Sequence, residues 1–382
     1  IFVMTAEILP PGMAMTGNPI LVKVTASGEK YVQVCVKHDN KEIFSTSGIP
    51  DTNGNIEFRI DEVLKMLLTS RIVESADLLV ALPEMTTDYN VTVRGQSGTT
   101  VTLSGECFTG GASKSELRKF VDVNILETFK ILNRNGNFFL TTRTQSDLIP
   151  MRESEIYPLY FIHPDGIIRV EDSSGNAITL PIGTPRKPYA LNLPVIRKQF
   201  LEAGTLSNYF RIFVDDICAC RVVLIPAVDA DDRYLVQFKN SYGAYERIEI
   251  TGTPTLESKY DNTNAQYTGY DEDIHDFSSS TKKVKATKVI KVHTGYKTLE
   301  EINFINDLLS SDDVQLLTMN ADVFKVLVSA QKVEQKLLQS VAPDSIQLSI
   351  QFVDSESYNI PGMIGNVLAN RIFSIHFDQT FN

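Results

Sequence analysis

The sequence predicts a mainly β protein, made of serial β-sandwich-like domains with a few short helices. Apolar and polar residues alternate with a period of two in many short runs, which is typical of half-buried strands. Turn-forming pairs with glycine or asparagine separate these runs, whereas helical periodicity is scarce. Hydrophobic residues make up 43% of the 382 residues and charged residues 22%, so the composition is that of a folded chain and not of a disordered one.

The clearest strand patterns lie near the start of the chain and are rich in β-branched residues. They cover residues 20–24, 31–36, 90–93 and 100–103. Glycine and asparagine can adopt the positive φ that hairpin turns require, so turn pairs between strand-like runs predict hairpins. Three such pairs are Asn53-Gly54, Asn135-Gly136 and Asp165-Gly166.

Three segments have a helical pattern. Residues 61–73 place four aliphatic side chains on one face, with Asp61 as the predicted cap. Residues 194–203 begin with a proline and are followed by Gly204, which suits a short helix. In residues 298–309, Thr298 and Glu301 have the spacing of a capping box, which makes this the clearest helix.

The length predicts two or three domains, since a domain averages roughly 150 residues. We predict an N-terminal β-sandwich at residues 1–112, a second β-sandwich-like domain at 113–228 and a β-rich C-terminal domain at 229–382 that contains the helix at 298–309. The glycine- and serine-rich residues 110–115 read as the linker between the first two domains.

Residues 258–281 form an unusual segment within the third predicted domain. They are rich in Asn, Asp, Ser, Thr and Tyr and contain few aliphatic residues. Such a segment cannot bury much apolar surface against its own domain. We therefore predict a long exposed loop or an extended arm, which would become ordered against a neighbouring subunit.

Charge and hydropathy bear on the classes of partner. The formal net charge of −11 repels phosphate, so nucleic-acid binding would need a strong local basic patch. No apolar run approaches the roughly 18 residues of a membrane span, so no membrane partner is expected. The first residues lack the basic and small-residue features of a signal peptide, and we expect no export signal there.

The sequence contains no motif of catalytic or cofactor chemistry. Nucleotide-binding, hydrolase and zinc-protease signatures are missing, and the five histidines are scattered. Four cysteines are too few for a disulfide scaffold, and the single-residue spacing of Cys218 and Cys220 does not fit a zinc site. In a strand those two side chains would share one buried face. We predict no catalytic, cofactor-binding or metal-binding residues, and therefore no enzyme.

A basic stretch follows the predicted arm and allows three interpretations. Lys282, Lys283 and Lys285 begin a run of six lysines that contains no Asp or Glu and is interleaved with valine and isoleucine. An edge strand protected by lysines explains this pattern. Contact with the acidic residues 271–273 across a subunit interface is the second interpretation, and nucleic-acid contact the third.

Several segments, in order along the chain, resemble tail-tip or baseplate-like structural proteins of phages and prophages of Bacteroides-type gut bacteria. The segments are Gly17-Asn18-Pro19, Phe139-Leu140-Thr141-Thr142, Phe238-Lys239-Asn240-Ser241-Tyr242-Gly243-Ala244-Tyr245-Glu246 with the following Thr251-Gly252, Leu308-Leu309-Ser310-Ser311, and Val326-Leu327-Val328. Related sequences often have Trp where Tyr245 stands. The resemblance implies a packed aromatic ring there within its own domain, although strand alternation places Tyr245 beside polar residues.

The resemblance implies a virion structural protein, a tail or baseplate component that acts as an assembly scaffold. Its partners would be other copies of itself, in a ring or other homo-oligomer, and neighbouring tail proteins. Its location would be the virion tail, assembled in the host bacterial cytoplasm. The resemblance supplies no catalytic residues. The alternatives are a surface-binding β-sandwich module of the carbohydrate-binding or adhesin-like kind and a glycan-degrading enzyme, whose carboxylate pair would not be visible in sequence.

The candidate subunit-interface residues lie on the predicted arm and the basic stretch. Aromatic side chains on an otherwise polar segment suit the centre of an interface, and lysines suit its charged rim. The candidates are Tyr260, Tyr267, Tyr270, Phe277, Lys282, Lys283 and Lys285. A mobile surface loop is the alternative for this segment.

Overall fold

The computed structural model describes residues 3–118, 124–226, 234–261, 266–280, 285–317, 323–333 and 345–354. The protein is mainly β, with 47% of residues in strands and 14% helical, which confirms the predicted fold class. The chain forms two compact units. Unit 1 comprises Ile1–Met151, Ile156–Ile225 and Lys239–Glu246, and unit 2 comprises Arg152–Glu155, Pro226–Phe238 and Arg247–Asn382. The predicted boundary at residue 112 lies inside unit 1.

The first part of unit 1 is a β-sandwich of a three-stranded and a five-stranded sheet, ordered β1-β3-β6 and β2-β9-β8-β4-β5. Inward-facing valines of both sheets, such as Val22, Val34 and Val91, form its core. The strands are β1 (Val3–Leu9), β2 (Met13–Met15), β3 (Leu21–Ser27), β4 (Val32–His38), β5 (Lys41–Gly48), β6 (Asn55–Arg59), β7 (Leu79–Ala81), β8 (Thr86–Gly95) and β9 (Thr100–Phe108).

The second part of unit 1 has a five-stranded sheet, ordered β10-β16-β15-β12-β13, and a three-stranded sheet, ordered β11-β14-β7. Its core is richer in aromatic rings, with Phe138, Phe139 and Phe161 packed at centroid distances of 4.7–5.6 Å. The strands are β10 (Leu148–Arg152), β11 (Leu159–Ile162), β12 (Ile168–Glu171), β13 (Ala177–Thr179), β14 (Pro188–Leu191), β15 (Tyr209–Val214) and β16 (Ile217–Ile225).

The strands after residue 233 form a seven-stranded sheet, ordered β18-β17-β23-β24-β25-β22-β19, and a separate two-stranded hairpin, β20-β21. In unit 2, Ile290, Ile350 and Phe304 belong to one core between this sheet and a helix. The strands are β17 (Tyr234–Lys239), β18 (Tyr245–Ile250), β19 (Thr255–Asp261), β20 (Gln266–Asp271), β21 (Asp276–Ser280), β22 (Lys285–His293), β23 (Val314–Leu317), β24 (Val323–Ala330) and β25 (Gln347–Phe352).

The helices are short, as predicted. In the described residues they are α1 (Asp61–Lys65), α2 (Lys114–Leu117), α3 (Ile125–Phe129), α4 (Leu193–Glu202) and α5 (Leu299–Leu309), with 3₁₀ turns at Pro83–Met85 and Glu153–Glu155. Helix α5 has both bonds of the capping box between Thr298 and Glu301, and α4 also matches its prediction. Helix α1 is much shorter than predicted. Asp61 does not cap it, because its carboxylate binds Arg59 instead.

None of the three predicted hairpins is present in this form. Asn135-Gly136 lies between α3 and β10 and joins no pair of strands. At the other two pairs the turns are real. Gly54 has a φ of +82° and Gly166 a φ of +136°. Asn53-Gly54 joins β5 to β6 and Asp165-Gly166 joins β11 to β12, and in each case the two strands belong to different sheets. In a sandwich, a turn that crosses between sheets uses the same residue types as a hairpin turn, so local sequence does not separate the two.

Two further predictions about strands need correction. Strand β22, which contains Lys285, Lys288 and Lys291 of the basic stretch, lies between β19 and β25, so the edge-strand interpretation is wrong for this part of the stretch. In β16, Cys220 lies opposite Ile212 and Cys218 opposite Phe213, because a bulge falls at Ala219. The extra residue puts the two cysteine side chains on opposite faces. Cys220 is buried and Cys218 only partly so.

Candidate functional site

The longest of the segments that carry the resemblance forms a tight turn in unit 1, at Asn240–Gly243. Gly243 has a φ of +81°, and its amide donates to the carbonyl of Asn240 at 2.8 Å. The side-chain oxygen of Asn240 accepts the amide hydrogens of Tyr242 and Ala244, each at 3.0 Å. A Cβ at position 243 would lie 2.4 Å from the hydroxyl of Thr109. Only glycine fits this turn without strain.

The predicted linker packs against this turn. The Gly17 amide donates to the Gly110 carbonyl at 2.7 Å, and the Gly111 amide donates to the Ser241 carbonyl at 2.8 Å. Asn18 completes the contact, since its side chain exchanges two hydrogen bonds with the backbone of Ala112. The linker prediction for residues 110–115 is therefore wrong at its start. Its glycines permit close backbone approach, not flexibility.

A fully buried carboxylate lies beside the turn. Glu246 accepts hydrogen bonds from the Thr141 hydroxyl, from the Thr142 amide at 3.2 Å and from the side-chain amide of Asn240 at 2.7 Å. Burial raises the pKa of Glu246 above its ordinary value, and the nearby Arg143 opposes that shift. The donors hold the carboxyl group in place inside the unit, out of reach of a substrate.

Three of the segments that carry the resemblance thus meet in the interior of unit 1. They contribute Gly17 and Asn18, residues 139–142 and residues 239–246. We name this group the turn cluster. Tyr245 is 5% exposed and packs in an apolar cluster with residues such as Phe108 and Tyr160. Its predicted burial is confirmed. Its predicted neighbours are wrong. Most members of that cluster lie between Met13 and Ala190, outside the predicted C-terminal domain.

The predicted arm contains strands. Residues 255–261 form β19, which pairs with β22, and β20 and β21 pair with each other as a hairpin. We name β20-β21 with its turn, residues 266–280, the arm hairpin. The side chains of Tyr260, Tyr270 and Phe277 are 62%, 55% and 58% exposed. The rings of Tyr270 and Phe277 pack edge to face at a centroid distance of 5.5 Å.

The remaining candidate interface residues are only partly described. Tyr267 lies in β20 opposite Ser279, and Lys285 begins β22 opposite Asp261. Lys282 and Lys283 lie outside the described residues. The structure therefore brings together Tyr270 and Phe277. Tyr260 lies on β19, which pairs with β22 in the seven-stranded sheet.

The turn of the arm hairpin combines acidic and apolar side chains. It contains Asp271, Glu272, Asp273 and Asp276, and Ile274 between them is 65% exposed. The amide of Asp273 donates to the Asp271 carboxylate at 3.0 Å, which orders the turn. This hairpin end can offer one apolar side chain surrounded by negative charge.

Sequence reasoning missed a buried ionic cluster in unit 2. Lys297 is almost fully buried, and its ammonium group donates to the Glu249 carbonyl at 2.7 Å. Glu301 lies 3.9 Å from the same group and binds Arg152 at 3.1 Å. Burial lowers the pKa of Lys297, and Glu155 opposes that shift. No local pattern predicts the burial of this lysine, because only Glu301 is close to it in sequence, whereas Glu249 and Glu155 come from distant parts of the chain.

Unit 1 has an open polar groove with a volume of about 540 Å³. Its charged wall is occupied by the protein's own ion pairs. Arg186 binds Glu106 at 2.7 Å and Glu127 at 2.9 Å, and Lys187 binds Asp88 at 2.8 Å. Among the described residues that line the groove, Arg186 is the cation, and it is already paired, so this lining does not select an anionic ligand.

Within the described ranges, no three His, Cys, Asp or Glu side chains are grouped so that they could hold a metal ion. No helix in that part of the chain is both long and apolar enough to cross a membrane.

Comparison with known proteins gives little. No protein-family model matches the sequence, and no curated protein matches it. Among solved structures, the chain is similar to a 1.5-MDa bacterial ice-binding adhesin, with 10% identity and a TM-score of 0.17 over 77% of this chain and 92% of that chain. The periplasmic chaperone SfaE gives 10% identity and a TM-score of 0.20 over 59% of this chain and 100% of that chain. The glucan-utilization protein SGBP-B of Bacteroides ovatus gives 12% identity and a TM-score of 0.16, over 84% and 68% respectively. Superpositions this poor do not indicate a common fold.

Proposed function

We propose that the protein is a structural subunit that assembles with copies of itself and with neighbouring proteins, as a tail or baseplate component of a phage virion. The observation that supports assembly is the pair of exposed rings, Tyr270 and Phe277, on the arm hairpin. A lone two-stranded hairpin is marginally stable in water. Burying its aromatic side chains against another subunit would stabilise it and supply interface energy at the same time.

Charge supports a second copy as the partner of the arm hairpin. The turn carries Asp271, Glu272, Asp273 and Asp276, whereas the stretch at 282–297 carries six lysines and no Asp or Glu. Opposite charges on two parts of one chain can meet between copies and set the order of docking. The virion tail as the location, the host bacterial cytoplasm as the place of assembly and the absence of catalysis are part of this proposal, and they rest on the resemblance.

Removal of the arm hairpin tests the proposal. Asp261 and Lys285 lie opposite each other in the β19–β22 pair, so a short Gly-Ser linker can replace the hairpin without breaking that pair. We expect an unchanged melting temperature and loss of oligomers larger than a dimer by native mass spectrometry. The double variant Tyr270→Ser/Phe277→Ser should have the same effect. Tyr296→Ser is the control, because Tyr296 is also exposed in unit 2 but lies outside the hairpin. A hairpin deletion that still forms oligomers larger than a dimer would contradict the proposal.

A surface-binding module is the second candidate, and the same rings favour it, because exposed aromatic rings also stack on sugars. It predicts a monomer that binds a glycan through Tyr270. Calorimetry with host surface glycans separates the two candidates. Glycan binding by a monomeric protein, lost in Tyr270→Ser, would replace the assembly proposal.

A further inference from the structure

Strand β19 is an edge of the seven-stranded sheet. Among the described strands it pairs with β22 on one side and with no strand on the other. An edge strand has a row of backbone donors and acceptors that can pair with another chain. Two of the side chains on this edge are apolar and exposed, Leu256 at 44% and Tyr260 at 62%.

These two side chains lie on the core side of the sheet. Leu256 is opposite Ile290, and Tyr260 is opposite Ala286. Residues that are directly opposite in an antiparallel pair share a face, and Ile290 belongs to the buried core of unit 2. The core-side face therefore continues beyond the buried core and ends in an exposed leucine and tyrosine.

The sequence of β19 is complementary to itself when it is read in the opposite direction. The strand is Thr-Leu-Glu-Ser-Lys-Tyr-Asp, with Ser258 at its centre. Antiparallel pairing of two copies about Ser258 places Glu257 opposite Lys259 of the second copy. It also places Leu256 opposite Tyr260 of the second copy. Both sets of pairs occur twice, because the arrangement has twofold symmetry.

The charges select this register. A shift that centres the pairing on Glu257 puts that carboxylate opposite its own copy, and a shift to Lys259 puts two ammonium groups opposite each other. Like charges directly opposite destabilise a strand pair, whereas opposite charges and aromatic–aliphatic pairs stabilise it. Glu257 already binds Lys291 at 2.8 Å, and in the proposed register it would lie between two lysines.

We propose that two copies of the protein join edge to edge through β19, antiparallel about Ser258, to form one continuous sheet. The partner is a second copy of this chain and no other protein. The twofold contact goes beyond the proposed function, since it uses a different surface from the arm hairpin.

Charge-swap variants test the contact in the full chain. Glu257→Lys and Lys259→Glu each create two like-charge pairs in the dimer, so each should weaken dimerisation about tenfold or more in sedimentation equilibrium. Mixed together, the two variants should form a heterodimer, because each lysine then lies opposite a glutamate. The double variant Glu257→Lys/Lys259→Glu should restore the homodimer.

Cross-linking gives an independent measurement if Glu257→Lys fails to fold through loss of the Lys291 pair. Ser258→Cys should form a disulfide-linked dimer under mild oxidation, because the residue lies opposite itself. Ser47→Cys is the control, since Ser47 is exposed on the edge strand β5. A wild-type protein that is monomeric at about 100 μM overturns the contact, as does a dimer indifferent to the charge swaps. Variants at Tyr270 and Phe277 leave this dimer intact, so the two proposals fail separately.

Discussion

The turn cluster of unit 1 and the arm hairpin of unit 2 use polar and aromatic residues in opposite ways. In the turn cluster, Glu246, Asn240 and the glycine backbones satisfy one another inside the unit, and Tyr245 is buried beside them. In the arm hairpin the carboxylates and the rings of Tyr270 and Phe277 face outward. The difference teaches that the segments of the resemblance in unit 1 stabilise the fold, whereas the proposed function assigns the subunit contacts to the arm hairpin, which contains none of these segments. Substitutions in the first region should change the free energy of unfolding, and those in the second should change association.

The largest expected effect is at the buried carboxylate. Glu246→Ala removes the acceptor that serves the Thr141 hydroxyl, the Thr142 amide and one hydrogen bond of the Asn240 side chain, which keeps its bond to the Leu140 carbonyl. Each unsatisfied buried donor costs about 1–3 kcal/mol, so we expect a loss of about 3 kcal/mol or more in urea unfolding. The control is Glu62→Ala, an exposed glutamate that should stay within about 0.5 kcal/mol. If Glu246→Ala and Glu62→Ala lose the same free energy of unfolding, the predicted difference between a buried and an exposed carboxylate is wrong.

The second effect compares two tyrosines of opposite exposure. Tyr245→Ala should cost about 2–4 kcal/mol, because it creates a cavity in an apolar cluster. Tyr260→Ala removes a ring that is mostly exposed in the single chain and should cost about 0.5 kcal/mol or less. Melting temperatures at low protein concentration check both. An unchanged melting temperature for Tyr245→Ala would show a surface ring.

The third effect separates backbone strain from close contact. Gly243→Ala should cost about 1–3 kcal/mol, since it combines a positive φ with an overlap against Thr109. Gly98 also has a positive φ, +91°, but nothing lies within 4 Å of its missing Cβ. Gly98→Ala should therefore cost less than Gly243→Ala in the same unfolding assay. Equal costs would mean that the packing of the turn cluster adds nothing to the strain.

The smallest effect is a pH dependence. Because burial raises the pKa of Glu246, the folded protein keeps a proton that the unfolded chain releases. Stability from this group is fully present below its ordinary pKa of 4.5 and is lost as the pH rises through the raised folded-state value. Glu246→Gln keeps the shape and does not titrate. The free energy of unfolding of this variant, relative to the wild type, should rise from about pH 4 to about pH 8. If the difference between the two proteins does not change with pH, Glu246 is charged in the folded state and the prediction is wrong.

The sequence predicted what local patterns decide. The mainly β class follows from alternation, and α5 follows from the adjacent Thr298 and Glu301, whose bonds span a single turn of chain. Helix α1 begins at Asp61 as predicted but ends at Lys65. The helical spacing of apolar residues continues to Val73, so this spacing alone does not locate the end of the helix.

The turn cluster could not be predicted, because its members meet only in three dimensions. Gly17, Gly110 and Ser241 are separated by about a hundred residues each, and no period links them. Strand alternation also misled at Tyr245, because β18 is buried on both faces at most of its positions. Alternation indicates a buried face only when the other face is in water. The composition of residues 258–281 predicted an exposed arm. Composition contains no information on strand pairing, so the pairs β19–β22 and β20–β21 could not be predicted from it.

The way the chain divides between the two units has a consequence for synthesis on the ribosome. The chain leaves unit 1 after Met151 and after Ile225, and returns each time, so Tyr245 and Glu246 are added to unit 1 by residues 239–246. A nascent chain grows from its N-terminus and tends to fold as segments emerge. Unit 1 must therefore wait until residues 239–246 have been made before the carboxyl group of Glu246 can meet its donors. A fragment ending at Ile225 should expose the apolar surface that Tyr245 covers and should bind chaperones or aggregate.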